Sequence, residues 1–320
     1  MPCCWHLVVT LTLMKGLMNA SRIAWTLLMI AISALMLSCD GAQQPTPKEV
    51  VTQKKRPLIV CTTPLILEMV TFIADGKAEA VCLLKPGNAL DQADLAAGDT
   101  MAMREADLIL MHGVEQEAKL FETIQANAGK GRVQRLADIR GQPLSKTANP
   151  IVPSLAPADV HDLIVRVAAM VRALDPASFG DAESHDRPLH SEIEELTRWM
   201  ATQMEAIDAA HRIVVTDDEM TASIIRGVGL TAVIVPRITG AVPTLADRNR
   251  LLASVRETKA RAFAIKTSGS EAMTQMLQGI AKETGTRIVK PPLIAWPTAE
   301  VGYVAMMKAN ANALVAAVKE

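Results

Sequence analysis

The sequence predicts an α/β fold of two Rossmann-like lobes with parallel sheets, joined by one long linking helix. Short apolar runs rich in β-formers alternate with stretches of helical periodicity, and this happens in two rounds after Pro57. Between the rounds lies Glu192–His211, an amphipathic segment long enough to connect them. Aromatics make up 3% of the chain, and Ala, Leu, Val, Ile and Met supply the apolar mass expected of helices packed on buried parallel strands.

The first round begins with LIVCTT (Leu58 to Thr63), after which Pro64 opens a helix that closes at Gly76. EAVCLL (Glu79 to Leu84) reads as a second strand, stopped by Pro86 and Gly87. A helix around Thr100 to Glu105 leads to DLILMHG (Asp107 to Gly113), and VQRLADI is a candidate fourth strand. Apolar positions from Ala158 to Leu174 repeat at helical spacing and stop at Asp175 and Pro176. The second round comprises RIVVT (Arg212 to Thr216), a helix to Gly229, LTAVIV (Leu230 to Val235), a helix around Asp247 to Thr258, AFAIKT, a helix around Glu271 to Thr284, RIVKPP, and a last helix from Tyr303 to Val318. Ligands of such folds sit at the carboxyl ends of the strands, which places the expected site between the lobes.

Ahead of this body, Met18 to Cys39 has the order of a secretory signal: Arg22, an apolar run from Ile23 to Leu37, then Ser38 before Cys39. The run is short of the roughly 20 residues a spanning helix needs. MLSC resembles the lipobox of bacterial lipoprotein precursors, with Met36 where Leu is commoner, and implies lipid attachment at Cys39. The expected organisation is a signal peptide with lipobox over residues 1–39, of which 1–17 can be an upstream extension. A flexible tether over 40–56 follows, then an N-terminal lobe over 57–175, a linking region over 176–211 and a C-terminal lobe over 212–320. The tether is polar and contains proline, as a disordered spacer would.

With a net charge of -1 and no basic stripe, the chain is not expected to bind nucleic acid. The five cysteines form no CxxC pair and no zinc-site spacing, so Cys61 and Cys82 read as small buried hydrophobes. GxSxG, Walker A and HExxH motifs are absent, and no enzymatic activity is expected. TSGSEAM (Thr267 to Met273) could cradle an anion, but a helix N-cap is the commoner use of such a turn.

Several segments resemble the solute-binding family of zinc and manganese ABC transporters over Pro57 to Glu320. LLKPGNALDQADLAAGD matches at Pro86, Gly87 and Asp99. ADLILMHGVEQEAKL matches at Ala106, Asp107, Leu108, Gly113 and Glu117. RALDP, VVTDDEMTASIIRGVGL, AKETG and GYVAMMKAN follow in the family's order. The resemblance implies a metal receptor of the helical-backbone type, exported, lipid-anchored on the periplasmic or extracellular face, monomeric, and serving an ABC permease. It implies a divalent metal, Mn, Zn or another, held between the lobes by histidines and carboxylates.

At the matching positions this chain has Asp91 in place of the first histidine, Ile151 near the second, Asp218 at the third and Val301 near the final carboxylate, with Glu300 beside it. Asp91, Asp218 and Glu300, with Glu219 as a further candidate, form an oxygen donor set that suits Mn, Mg or Ca better than zinc. Asp also favours helix starts, so both aspartates can be solvated cap residues. A site lacking one ligand outright rarely keeps its geometry, which favours a cleft that no longer holds a transition metal in the family's manner. His112, His161, His185, His190 and His211 fall away from the aligned site and are expected in surface or capping roles. Lys266 and Arg237 add positive charge to the second lobe, a hint of an anionic ligand. The two functions in contention are a metal-transport receptor with a carboxylate-containing or degenerate site, and a binding or scaffold lipoprotein that keeps the fold without the metal.

Overall fold

Strands β1 (Leu58–Cys61), β2 (Glu79–Cys82), β3 (Leu108–Met111) and β4 (Arg132–Arg135) form a parallel sheet in the order β2-β1-β3-β4. The computed structural model describes residues 55–85, 88, 90, 95–141, 151–180, 182–236, 242–265 and 271–319, with backbone alone at 139–141 and 182–184. Arg56–Glu320 is one compact unit. Parallel strands need crossovers, and helices α1 (Pro64–Ala74), α2 (Ala97–Glu105) and α3 (Ala118–Asn127) supply them. Thr63 caps α1 by accepting from the Ile66 N–H at 3.4 Å, and Pro64 occupies the first turn, where its missing N–H costs nothing.

Helices α4 (Pro157–Leu174), α5 (Pro176–Phe179) and α6 (Ala182–Glu205) then lead to the second sheet. β5 (Ile213–Thr216), β6 (Thr231–Ile234), β7 (Ala262–Phe263) and β8 (Arg287–Ile288) repeat the first topology, all parallel in the order β6-β5-β7-β8. Their helices are α7 (Glu219–Val228), α8 (Leu245–Thr258), α9 (Glu271–Thr284) and α10 (Tyr303–Lys319). The expected two-lobed α/β fold with a long linking helix is therefore present. The linking helix starts earlier than its amphipathic pattern suggests, at Ala182, and carries Pro188 in its interior. Among the described residues of AFAIKT, the strand is Ala262–Phe263.

Successive strand residues face opposite sides, and the two sheets distribute them in the same way. Ile59, Cys61, Leu108 and Leu110 enter a large core, whereas Val60 and Ile109 enter a smaller cluster with Met103, Leu120 and Ile124. In the second sheet Val214 and Ala262 enter the same large core, while Val215 and Phe263 join Leu251, Val255, Leu277 and Ile280. The large core runs without interruption from Ile66 on α1 through Val167, Leu196 and Ile224 to Leu314 on α10. Both sheets thus lean on one shared apolar body, with a private cluster on each outer face.

Cys61 and Cys82 are register partners on adjacent strands and both are free thiols; Cys61 is a buried core residue as expected, whereas Cys82 is only half-buried against the core. Burial raises the Cys61 thiol well above its ordinary range and pushes Cys82 up to about 11, so neither is a ready thiolate. Among the described residues no helix is long and apolar enough to cross a membrane. Cys39 and the signal-like segment lie outside the described residues.

Candidate functional site

The carboxyl ends of β1 and β3 carry a buried polar network. Glu117 is 0% exposed, and its Oε1 accepts from the Thr62 hydroxyl at 2.6 Å and from the His112 N–H at 3.3 Å. Its Oε2 accepts from the Gly113 N–H at 2.6 Å and the Val114 N–H at 3.4 Å. A carboxylate without water is tolerable only when hydrogen-bonded in this way. Gly113 has φ +88°, and a Cβ there would stand 3.1 Å from the Ala137 Cβ and 3.2 Å from that of Arg135. The Gly113 and Glu117 of the family-like segment therefore shape a strand-end turn.

His112 belongs to this network. Its Nε2 lies 2.8 Å from the Thr63 hydroxyl, its ring centroid is 6.4 Å from that of Trp296, and the residue is 1% exposed. This corrects the expected surface or capping role: pairing β1 with β3 brings Thr63 and Glu117 to the histidine and encloses it. Burial holds its imidazole below the ordinary value, against the opposing pull of Glu117, which favours the neutral ring. The sequence signal that could have found it is HG followed by Glu directly after an apolar strand, since a polar residue at a parallel strand end is enclosed by its neighbours.

Asp99, also part of the family-like pattern, is buried and engaged. The Lys85 Nζ lies 2.6 Å from its Oδ1, and its Oδ2 accepts from the Ala96 N–H at 2.9 Å, which starts α2. Asp91, Pro86 and Gly87 lie outside the described residues, as do Lys266, Arg237 and most of the Ser-rich turn.

At the carboxyl end of β5, the buried Thr216 hydroxyl donates to the Ala264 carbonyl at 2.9 Å, tying the ends of β5 and β7 together. Asp218 then heads α7, its Oδ2 accepting from the Thr221 N–H and hydroxyl, both at 2.8 Å. It is half-buried, as is Glu219, whose Oε2 is 3.9 Å from the Arg226 Nη1. Glu300 is exposed in the turn before α10, where its Oε2 accepts from the Thr298 hydroxyl at 2.9 Å. That bond, together with a backbone hydrogen bond, holds its carboxyl below the usual range. Ile151 packs its side chain against the large core, and its carbonyl accepts from the Gln116 N–H at 3.0 Å. No three His, Cys, Asp or Glu side chains among the described residues converge on one point where an ion could sit.

The segment from Ile151 to Ala156 fastens the lobes. The Ser223 hydroxyl on α7 donates to the Pro153 carbonyl at 2.9 Å and accepts from the Leu155 N–H at 3.2 Å. The buried Tyr303 hydroxyl donates to the Leu155 carbonyl at 2.8 Å, and the Tyr303 N–H meets both Glu68 carboxylate oxygens at 3.0 Å. Gly227 allows this approach, because a Cβ would lie 3.1 Å from the Leu155 carbonyl oxygen. Of the remaining histidines, His161 and His190 touch each other, His185 lies 3.8 Å from Asp75, and the His211 ring lies 2.9 Å from the Arg261 guanidinium.

Residues 59–317 match the family described as zinc-uptake complex component A, periplasmic. Among solved structures, the periplasmic zinc binding protein TroA from Treponema pallidum is similar at TM-score 0.67 and 22% identity, covering 83% of this chain and 100% of its own. The Mn-bound periplasmic metal binding protein from Candidatus Liberibacter asiaticus is similar at TM-score 0.66 and 16% identity, covering 82% of this chain and 99% of its own. Its Cd-bound form has the same TM-score, identity and coverage. No curated protein matches the chain.

Proposed function

Because the chain belongs to the family of periplasmic zinc-uptake component A proteins, we propose that it is a lipid-anchored receptor passing a divalent cation to an ABC permease. Membership makes it the solute-binding component of a metal ABC transporter, a protein that binds and delivers its cargo without chemically changing it. The lipid is attached at Cys39, which follows a signal-like apolar run, and the polar segment after it tethers the monomeric body to the membrane surface.

Asp218 carries the reading of the cargo. It stands half-buried at the carboxyl end of β5, where parallel α/β folds place ligands, and its sequence position matches a family ligand. The structurally similar proteins are described as Mn-bound, Cd-bound and zinc binding, and a divalent cation is carried over to this chain. Asp91 and Asp218, with Glu300 as the outer carboxylate, would offer oxygen donors, so the cargo is a hard ion such as Mn rather than zinc. Ile151 supplies no donor, and the buried His112 is held by Thr63. The continuous core through α1, α4, α6, α7 and α10 resists a wide hinge, because opening it would expose apolar surface at about 25 cal/mol per Å². Release of the cation is therefore a local event at the strand ends.

Calorimetric titration of Arg56–Glu320 with manganese, calcium and zinc tests the proposal. The expected result is manganese binding that weakens in Asp91→Ala and Asp218→Ala, with no submicromolar zinc event at those carboxylates. Absence of any cation binding at those carboxylates would favour the scaffold lipoprotein that keeps the fold without the metal.

A further inference from the structure

We infer that His161 and His190 form a second cation site, a two-imidazole clip for a borderline transition ion such as Cu2+, Ni2+ or Zn2+, joining α4 to the linking helix α6. The two Nδ1 atoms stand 3.1 Å apart, with ring centroids at 4.1 Å and an interplanar angle of 47°. Two nitrogens bound cis to one ion at metal–nitrogen distances of 2.0–2.1 Å are separated by about 2.9–3.4 Å, depending on the angle at the metal. The nitrogen separation therefore already suits one ion, while the shorter centroid separation shows the rings packed side by side, so the rings must turn about their Cβ–Cγ bonds before both lone pairs meet the ion.

Without an ion, the same contact needs one ring to donate its Nδ1–H and the other to accept it. When both Nδ1 atoms bind metal, both rings must carry their proton on Nε2. Asp186, one turn before His190 on α6, places its Oδ2 4.0 Å from the His190 Nε2, beyond a hydrogen bond but near enough for its charge to favour a proton on that nitrogen. A carboxylate behind a metal-bound imidazole is the usual outer support for such a ligand. Burial and the neighbouring His161 hold the His190 imidazole below its ordinary value, while Asp186 and Glu194 oppose this. The neutral ring is the form that binds metal.

Among the described residues no third His, Cys, Asp or Glu joins the pair, so water completes the coordination. The site would bind by imidazole alone and follow the order Mn2+ below Ni2+ below Cu2+. This preference is opposite to that of the carboxylate cleft. Its residues are also separate from Asp91, Asp218 and Glu300, and the inference stands whether or not the cleft holds a cation.

Copper(II) titration of metal-free Arg56–Glu320, followed by electron paramagnetic resonance and thermal unfolding, tests it. The expected signal is one saturable Cu2+ species with hyperfine splitting from two imidazole nitrogens, and a Tm raised by a few degrees at excess ion. His161→Gln and His190→Gln should each abolish the two-nitrogen signal and the Tm rise, while Asp91→Ala/Asp218→Ala keeps both. Circular dichroism identifies variants that fold, and either histidine variant alone suffices. A Cu2+ signal unchanged in a folded histidine variant, no saturable signal at all, or loss of the signal in the double aspartate variant would overturn the inference.

Discussion

In the first lobe the strand-end carboxylate, Glu117, is fully buried and accepts from a hydroxyl and three backbone N–H groups. In the second lobe Asp218 heads α7 half-buried and accepts from Thr221. The strand order is the same in both lobes, so topology alone does not decide which acid meets a ligand. Burial decides. A carboxylate enclosed by several donors is part of the frame, whereas one at a half-exposed helix start can cap the helix and still lie where solvent and ions reach it.

The comparison breaks most visibly at Glu117. Glu117→Ala would leave the Thr62 hydroxyl and three N–H groups without their acceptor, and is expected to cost about 3 kcal/mol or more, read by urea unfolding. Glu117→Gln keeps one acceptor oxygen and should cost less. A loss under about 1 kcal/mol in Glu117→Ala would mean that water replaces the carboxylate, and the frame reading would fail.

Gly113→Ala attacks the same turn through the backbone. A positive φ and Cβ contacts at 3.1 and 3.2 Å should together destabilise by roughly 1–3 kcal/mol. Tyr303→Phe removes one bond between the lobes, from the hydroxyl to the Leu155 carbonyl. It should cost about 1 kcal/mol and leave the shared core intact. Crystal structures of both variants would show whether the first lobe or the fastening between lobes shifts.

A pH titration of stability sharpens the contrast further. The folded state holds His112 below its ordinary value, so from that lowered value up to about pH 6.5 the unfolded chain binds the proton more readily. Stability should therefore fall as pH drops below about 6.5, and His112→Asn should flatten that limb relative to the parent protein. Equal slopes in the two proteins would show that another group is responsible.

Most of the fold was legible because strands and helices announce themselves locally. LIVC, LILM and IVVT are short apolar runs bounded by polar or turn residues, and the helices between them keep their spacing. The early start of α6 was hidden by Pro188, which reads as a break although the helix passes through it. His112 was misread for a different reason. Its enclosing partner Thr63 is 49 residues away and arrives only when β1 pairs with β3, a contact with no local signal. The pair of His161 and His190 was likewise invisible, being 29 residues apart on two helices whose facing sides are set by packing. The candidate cleft was legible only as aligned positions. Asp218 and Glu300 are now placed at a helix cap and an exposed turn, while Asp91 lies outside the described residues.

The most direct test is manganese titration of Asp218→Asn beside the parent protein. Asn caps helices about as well as Asp, so stability should change by no more than a few tenths of a kcal/mol. The amide removes the negative charge a hard cation needs, and manganese affinity should fall by at least the roughly tenfold that even outer-shell changes cause. Unchanged manganese affinity in a folded Asp218→Asn protein would contradict the account, because it would leave Asp218 a helix cap alone.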